Sequence, residues 1–299
     1  MASVTTPTAA RASATSSIRP LGLLSKVLIY LILGAWAVLV IFPMLWAIMT
    51  SFKTDQEIFF SPWALPARPI FENFARAWTT ARLGEYFINT LIIVIPSLFL
   101  TLLLSAMAAY VLARFEFRGR NLITYLFLVG MIFPLFLALV PLYFVTQKLG
   151  LLDTYVGLIM VYVAFSLSFT IFFMISFFKT LPKELGEAAT IDGANQYDIF
   201  FRVYLPLARP GLITMGIFNF LGQWNQYILP NTLMITNEDS NTHYVLSQGL
   251  YYLQSKQFYQ NDWSGLFAAV TIVMIPTLVI YLIFNDRIEK GMTAGAVKG

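Results

Sequence analysis

Cysteine is absent from this chain of 299 residues, and histidine occurs once, as His243. A chain without cysteine forms no disulfide, holds no thiolate-bound metal and supplies no cysteine nucleophile. A single histidine also excludes a metal site that is built from several imidazoles. We therefore expect no metal site and no catalytic residue in this chain.

Charged side chains are scarce as well: they make up 11% of the sequence, whereas hydrophobic residues make up 58% and the mean hydropathy is +0.72. A soluble domain has about 25% charged and about 45–50% apolar residues. So few charges cannot cover a water-exposed surface, and the composition predicts an integral membrane protein. We expect the net charge of +4 to reflect basic cytoplasmic loops rather than a nucleic-acid partner.

Six windows contain no Asp, Glu, Lys or Arg, and each is about 23 to 28 residues long, enough for a helix to cross roughly 30 Å of hydrocarbon. Barrel strands would instead alternate over about 10 residues. The sequence therefore predicts an all-α polytopic membrane protein, with a disordered cytoplasmic tail at residues 1–20 and a six-helix transmembrane domain at residues 21–290. The first window is too long for a signal peptide, so we expect it to be retained. The predicted spans are about 27–50, 87–112, 121–146, 154–178, 211–235 and 264–285.

The distribution of Lys and Arg predicts the orientation. With the N-terminus inside, the inner segments hold about 13 of these residues and the outer segments hold 6, so we expect both termini to lie in the cytoplasm. We expect a multi-pass protein that is embedded in the lipid of the inner membrane. Two outer segments are long, Lys53–Glu85 and Glu238–Asp262. For each, a folded cap over helix ends and a docking site for a partner remain open.

The six windows hold no ionisable side chain, which argues against a proton-coupled carrier, although backbone carbonyls can bind Na⁺. The chain also lacks any Gly-Lys dipeptide, and therefore lacks the phosphate-binding loop of an ATPase. If ATP drives this protein, a separate subunit must bind the nucleotide and its Mg²⁺.

The inner segment that follows Lys179 predicts two short helices. Pro182 suits a helix start, and Gly193 suits a left-handed helix end. The first helix has one face with a small-residue pair, formed by Leu185, Ala188, Ala189 and Asp192. The second has an aromatic stripe, formed by Tyr197, Phe200, Phe201 and Tyr204. Docking of the first helix on a partner and an amphipathic helix on the lipid surface are both compatible with this pattern.

Short motifs stand out along nearly the whole chain: Glu187-Ala188-Ala189 with Gly193 and Leu205-Pro206, Ser51-Phe52-Lys53-Thr54, Trp224-Asn225, and the closing residues 291–299. The first resembles the EAA loop of permease subunits in bacterial and archaeal binding-protein-dependent ABC importers. The next two are similar to the carbohydrate-uptake branch of that family. The last resembles the closing segment of the MalG-like partner in this branch. The resemblance implies a type I, MetI-like permease fold.

The resemblance also implies contacts with an ATPase subunit. By this resemblance, residues 181–209 form the cytoplasmic EAA coupling loop. Its docking residues are Leu185, Glu187, Ala188, Ala189, Asp192 and Gly193. Residues 291–299 become a cytoplasmic tail that inserts between the ATPase subunits, with Thr293, Gly295 and Lys298 in contact. Composition alone instead favours a frayed tail.

Uncharged polar residues recur along the fifth predicted span. Asn219, Gln223, Gln226 and Tyr227 share one helical face, and Trp224 lies beside it. Amides and a phenol match the hydroxyl groups of a sugar, and an indole can stack on a sugar ring. The stripe therefore either lines a substrate path or joins neighbouring helices by hydrogen bonds. Asn225 is followed by Gln226 where many relatives have Glu, which weakens a ligand role at that position.

From these observations and the resemblance, we expect a permease subunit of an ATP-driven ABC importer for a sugar or oligosaccharide. The resemblance implies a second, heterologous permease, two ATP-binding subunits and an extracytoplasmic solute-binding protein as partners. An importer for another polar solute, such as a polyol or glycerol phosphate, and an ion-coupled sugar carrier are the alternatives. A membrane-embedded enzyme would need convergent catalytic groups, which the sequence does not supply.

Overall fold

The computed structural model describes residues 22–234 and 243–296, except for the side chains of residues 23, 256–260 and 288–296. All regular secondary structure in these ranges is helical, as predicted. The helices are α1 (Leu23–Thr50), α2 (Asp55–Phe60), α3 (Glu72–Thr79), α4 (Leu83–Arg114), α5 (Arg120–Ile132), α6 (Leu135–Lys148), α7 (Tyr155–Thr180), α8 (Glu184–Ile191), α9 (Gln196–Asp198), a π-helix (Ile199–Tyr204), α10 (Leu205–Leu207), α11 (Arg209–Trp224), α12 (Ile228–Leu233), α13 (Leu246–Gln260) and α14 (Trp263–Ala296).

The chain divides into two compact units, of which one ends at Trp46 and the other begins at Ala47. The described part of the first unit, residues 22–46, consists almost entirely of the apolar helix α1, which contains Pro43 and whose last residues, 47–50, belong to the second unit. The second unit holds all the remaining helices, and the following paragraphs describe its internal packing.

Four helices are long and apolar enough to cross a membrane: Leu24–Thr50, Leu83–Arg114, Tyr155–Thr180 and Trp263–Arg287. The third predicted span is not one straight helix, because α5 and α6 meet at an angle of 104°. Phe133 leaves the helix with extended backbone (φ −65°, ψ 123°) immediately before Pro134. Proline disfavours helical geometry in the residue that precedes it, which explains the bend.

The fifth predicted span is also interrupted. α11 has 16 residues, which corresponds to a length of about 24 Å and is shorter than the roughly 30 Å of hydrocarbon. The chain leaves helical structure after Trp224 and resumes it in the short helix α12. Four spans and one bent pair are therefore found among the described residues, and the predicted number of six spans is not confirmed.

α4 lies at the centre of the second unit. It packs along α7 and also contacts α3, α11 and α13. Ala106 and Ala109 of α4 are completely buried, as is Ser105. Small residues let helix backbones approach closely, which is the main source of helix association where lipid surrounds the helices.

The helices of the second unit form apolar clusters at two opposite ends. At the end that we call the α8 end, the last turns of α4 and α7 form one apolar cluster with the π-helix. At the opposite end, called the α2 end, the first turns of α4 and α14 form a second cluster with α3 and Trp224. A third cluster joins α4 and α7 to α12.

Candidate functional site

α8 is the short helix that the sequence predicted after Pro182. Its end is formed by Gly193, whose φ of +83° lies in the left-handed region that favours glycine. The N–H of Gly193 donates to the carbonyl of Thr190 at 3.0 Å, which satisfies an orphan carbonyl of the last turn. Local sequence signals therefore define both ends of this helix.

α8 has an exposed side and a side that faces the rest of the chain. Five of the six predicted docking residues are exposed: Leu185, Glu187, Ala188, Asp192 and Gly193. Ala189 instead packs against the apolar cluster of the α8 end. Gly186 lies under the ring of Tyr204, since a Cβ at this glycine would be 2.8 Å from the Tyr204 hydroxyl oxygen. The close approach fixes α8 on the π-helix and leaves its other side open.

The sequence predicted that four aromatic residues form one stripe in the following helix, and this prediction is wrong for two of the four. Phe200 and Tyr204 are buried, but Tyr197 and Phe201 are 75% and 45% exposed, and Ile199 is buried instead. The cause is the π-helix, in which the hydrogen bonds span five residues rather than four. The wider turn brings residues five apart onto one face, and the α-helical spacing assumed in the prediction does not hold.

Arg114, the last residue of α4, connects three elements at the α8 end. Its Nη2 donates to the carbonyls of Phe178 and Leu181, both at 2.7 Å, at the C-terminus of α7. Its guanidinium carbon lies 4.5 Å from the ring centroid of Tyr204. Sequence reasoning missed this residue, although a lone Arg that ends a long uncharged window was a visible signal.

The polar residues of α11 make hydrogen bonds between helices. Asn219 is buried, and its Nδ2 donates to the Thr170 hydroxyl of α7 at 2.9 Å. Gln223 is also buried; its Oε1 accepts from the Ser97 hydroxyl of α4 at 2.7 Å, and its Nε2 donates to the Ser166 hydroxyl of α7 at 3.1 Å. In this conformation both side chains join helices, which is the second of the two roles considered from the sequence.

The rest of the predicted stripe does not share one helix, because α11 ends at Trp224. The Trp224 ring is buried and stacks on Phe220 with centroids 5.4 Å apart, and its Nε1 donates to the carbonyl of Val273 at 3.3 Å. Gln226 and Tyr227 follow in the break before α12 and are half-buried. A polar surface at this break is therefore accessible, whereas the Trp224 ring is not.

At the α2 end, the segment after α1 is a folded cap. Thr54 and Glu57 form a reciprocal capping box: the Glu57 N–H donates to the Thr54 hydroxyl at 3.2 Å, and the Thr54 N–H donates to Glu57 Oε2 at 2.9 Å. Backbone N–H groups that donate hydrogen bonds to this carboxylate lower the pKa of Glu57, and the N–H of Thr54 has the largest effect. Lys53 is completely buried, and its Nζ donates to the carbonyls of Ser61 and Pro62. Burial lowers the pKa of Lys53.

This cap is attached to the start of α14. Arg76 of α3 donates to both carboxylate oxygens of Asp262, from Nε at 3.1 Å and from Nη2 at 2.9 Å. The N–H of Ser264 donates to the carboxylate of Asp55 at 2.7 Å. These bonds support the folded cap for the first outer segment, and docking of a partner on top of it remains compatible with them.

Several predicted residues lie in or beside parts that the structure does not describe. Thr293 and Gly295 belong to α14, which continues to Ala296, but their side chains are not described. Lys298 lies outside the described residues. His243 is exposed, with its ring 5.3 Å from that of Tyr155. Within residues 22–234 and 243–296, no group of His, Asp or Glu side chains could hold a metal ion.

Comparison with known proteins connects this geometry to transport. Residues 101–294 match the family described as the binding-protein-dependent transport system inner membrane component. This match includes α8, the π-helix and α11, and it ends close to the end of α14.

Curated relatives extend the similarity to almost the whole chain. The diacetylchitobiose uptake system permease protein NgcG of Streptomyces coelicolor is 50% identical over 289 residues, which cover 97% of this chain and 93% of the relative. The trehalose/maltose transport system permease protein MalG of Thermococcus litoralis is 33% identical over 279 residues, which cover 91% of this chain and 97% of the relative.

A solved structure has the same fold. The crystal structure of a bacterial ABC transporter involved in the import of the acidic polysaccharide alginate contains a chain that superimposes with a TM-score of 0.75 at 21% identity, covering 94% of this chain and 99% of the other. The matched family and the relatives confirm the family that the sequence motifs predicted. The chain belongs to the family of binding-protein-dependent transport system inner membrane components.

Proposed function

We propose that this permease imports a neutral sugar, with diacetylchitobiose or a similar short oligosaccharide as the substrate. The observation that carries the proposal is the 50% identity to a diacetylchitobiose uptake permease over 97% of the chain. The side chains of α11 and of the break that follows it offer amides, a phenol and hydroxyls. These groups suit sugar hydroxyls better than a phosphate ester, which would require a cation for charge balance.

The importer is proposed to contain a second, different permease, two ATP-binding subunits and an extracytoplasmic solute-binding protein. In this assembly the chain spans the membrane six times, with α5–α6 and α11–α12 as interrupted spans. Both termini lie in the cytoplasm, because Lys and Arg are concentrated on the α8 side of the spans. ATP and Mg²⁺ bind to the ATPase subunits.

α8 is proposed to dock in a cleft of the ATPase subunit. Leu185, Glu187, Ala188 and Asp192 make the contact, and the small side chain of Ala188 permits close approach. Gly193 ends the helix and redirects the chain toward the π-helix, and Ala189 holds α8 on the permease. The exposure of the first four side chains, and the packing of the half-buried Ala189 against the apolar cluster, support this division. Thr293, Gly295 and Lys298 supply a second contact, at the end of the chain.

The sugar path is proposed to pass the break between α11 and α12. Gln226 and Tyr227 face it in the present conformation, where they are half-buried. Asn219, Gln223 and Trp224 reach the path when α11 separates from its neighbours during transport. In the present conformation they hold α11 closed against those neighbours through the hydrogen bonds described above.

Reconstitution of the importer in liposomes tests this function. The complex, with the binding protein outside and ATP inside, is expected to accumulate radiolabelled diacetylchitobiose, and a protonophore should leave the uptake unchanged. Omission of the binding protein serves as the control. Uptake of glycerol 3-phosphate in place of the disaccharide would contradict the proposed substrate, and uptake driven by an ion gradient without ATP would contradict the transport class.

A further inference from the structure

A cavity of about 180 Å³ at the α8 end separates α8 from the last turn of α4. Tyr110 and Arg114 line it from α4, Gly186 and Thr190 from α8, and Tyr204 from the π-helix. Direct packing between α8 and α4 is therefore incomplete at this place. The chain itself connects α8 to α7 and to the π-helix, but movement of α8 reaches the end of α4 through the side chains that cross or border the cavity.

Arg114 is the side chain that joins these elements. Its two short bonds, to the carbonyls of Phe178 and Leu181, attach α4 to the end of α7. A cation at a helix C-terminus also interacts favourably with the partial negative charge of the last carbonyls. Because both acceptors belong to the last turn of α7 and the chain just beyond it, α4 and α7 are held as one body at the α8 end.

Tyr204 connects this body to α8. Its ring receives the Arg114 guanidinium at 4.5 Å and lies 5.3 Å from the ring of Tyr110. Its hydroxyl donates to the carbonyl of Pro182 at 3.3 Å, immediately before α8, and its ring lies against Gly186. Tyr204 is thus enclosed on one side by α8 and on the other by the α4–α7 pair.

We propose that Arg114 is a positioning residue for coupling: through the ring of Tyr204 it makes α4 and α7 follow α8 when the ATPase subunits move. The proposal rests on the proposed function of α8, and it adds which membrane helices receive the movement. The chain connects α8 to α7 through residues 181–183 and to α11 through the π-helix, so Arg114 and Tyr204 are the side chains that add the end of α4 to this movement. Without Arg114, uptake fails because the end of α4 no longer moves together with α7 and α11.

The first experiment compares Arg114→Gln with Arg120→Gln in the reconstituted importer. Arg120 is the matched control, since its Nε donates to the carbonyl of Leu112 and joins α5, rather than α8, to the end of α4. For Arg114→Gln we expect about tenfold more ATP hydrolysed per diacetylchitobiose imported, within the range of about 5- to 150-fold that is typical of coupling between sites. Arg120→Gln should keep the wild-type ratio. Equal ratios in the two variants would overturn the proposal.

Tyr204 provides a second pair of variants, which also decides the matter if Arg114→Gln fails to assemble. Tyr204→Phe keeps the ring that receives the guanidinium and loses only the 3.3 Å hydroxyl bond to Pro182, so its ratio of ATP to sugar should stay well below that of Tyr204→Leu. Tyr204→Leu removes the ring face and should raise this ratio as Arg114→Gln does, and the double variant should be no worse than either single variant. Equal behaviour of Tyr204→Phe and Tyr204→Leu, or additive effects in the double variant, would contradict a shared path.

A third measurement needs no sugar and so separates this proposal from the choice of substrate. Because the chain has no cysteine, spin labels can be placed at Val111 of α4 and at Ile191 of α8, both of which are exposed. The distance between the labels should be the same in the nucleotide-free and ATP-bound complexes of the wild type. In Arg114→Gln it should differ between them. A wild-type distance that changes with ATP would show that α8 moves independently of α4.

Discussion

Replacement of Gln223 by alanine removes two hydrogen bonds that join α11 to α4 and α7. Hydrogen bonds between membrane helices contribute about 0.6 kcal/mol each on average. Ser97 keeps its bond to the carbonyl of Val94. The Ser166 hydroxyl also loses the Gln223 amide as a hydrogen-bond donor, but it is only half-buried, so no buried unsatisfied group results. We therefore expect a loss of about 1 kcal/mol in the free energy of unfolding, from the two lost bonds.

Thermal unfolding in detergent measures this loss, as a decrease in Tm of about 2–4 °C for each kcal/mol. Gln226→Ala is the matched control, since Gln226 Oε1 accepts a local bond from the N–H of Ile228. Gln226→Ala should keep the wild-type Tm and raise KM for the sugar, whereas Gln223→Ala should lower Tm. A wild-type Tm for Gln223→Ala together with a raised KM would refute the argument and assign Gln223 to the path.

Three further predictions concern the two ends of the molecule. Gly193→Val places a branched side chain at φ +83°, which costs about 1–2 kcal/mol or more. This variant should abolish sugar uptake in vesicles but leave membrane insertion, measured by immunoblot, unchanged. Normal uptake would contradict the prediction. Glu187→Lys should leave the complex assembled, as measured by co-purification, but should uncouple ATP hydrolysis from sugar uptake. Wild-type coupling in this variant would contradict the docking of α8 on the ATPase. The pKa of Glu57 is lowered below its ordinary value of 4.5, so the stability of the α2 capping box is complete above pH 4.5 and is lost as the pH falls through the lowered pKa. The N–H of Ala67 donates to Glu57 Oε1 at 2.9 Å, so hydrogen exchange at this amide should report the loss in the wild type, and Glu57→Gln should show no such step.

Features that depend on neighbouring residues in the sequence could be predicted. The limits of α8 follow from Pro182 and from Gly193, because proline suits a first turn and glycine accepts a positive φ. The bend between α5 and α6 follows from Pro134 by the same kind of local argument, although the length of the uncharged window concealed it. The sequence motif of α8 also allowed the family to be predicted.

Features that depend on packing could not be predicted. The π-helix has no strong local signal and exposes Tyr197 and Phe201, which an α-helix would have placed with Phe200. The burial of Lys53, whose ammonium group donates to two carbonyls, was not predicted either. Hydrogen-bond partners that are distant along the chain decide both whether a lysine can be buried and whether a glutamine joins helices or faces a path.

The pairing of Arg76 with Asp262 has a consequence for biogenesis. The two residues are 186 positions apart, and the acidic partner stands at the entrance of the final helix. Synthesis proceeds from the N-terminus, so the guanidinium emerges long before the carboxylate that neutralises it. The same delay applies to Asp55, whose backbone donor is Ser264. The start of α14 therefore completes the folded cap at the α2 end, and a polypeptide that ends before Asp262 leaves Arg76 and Asp55 without these partners.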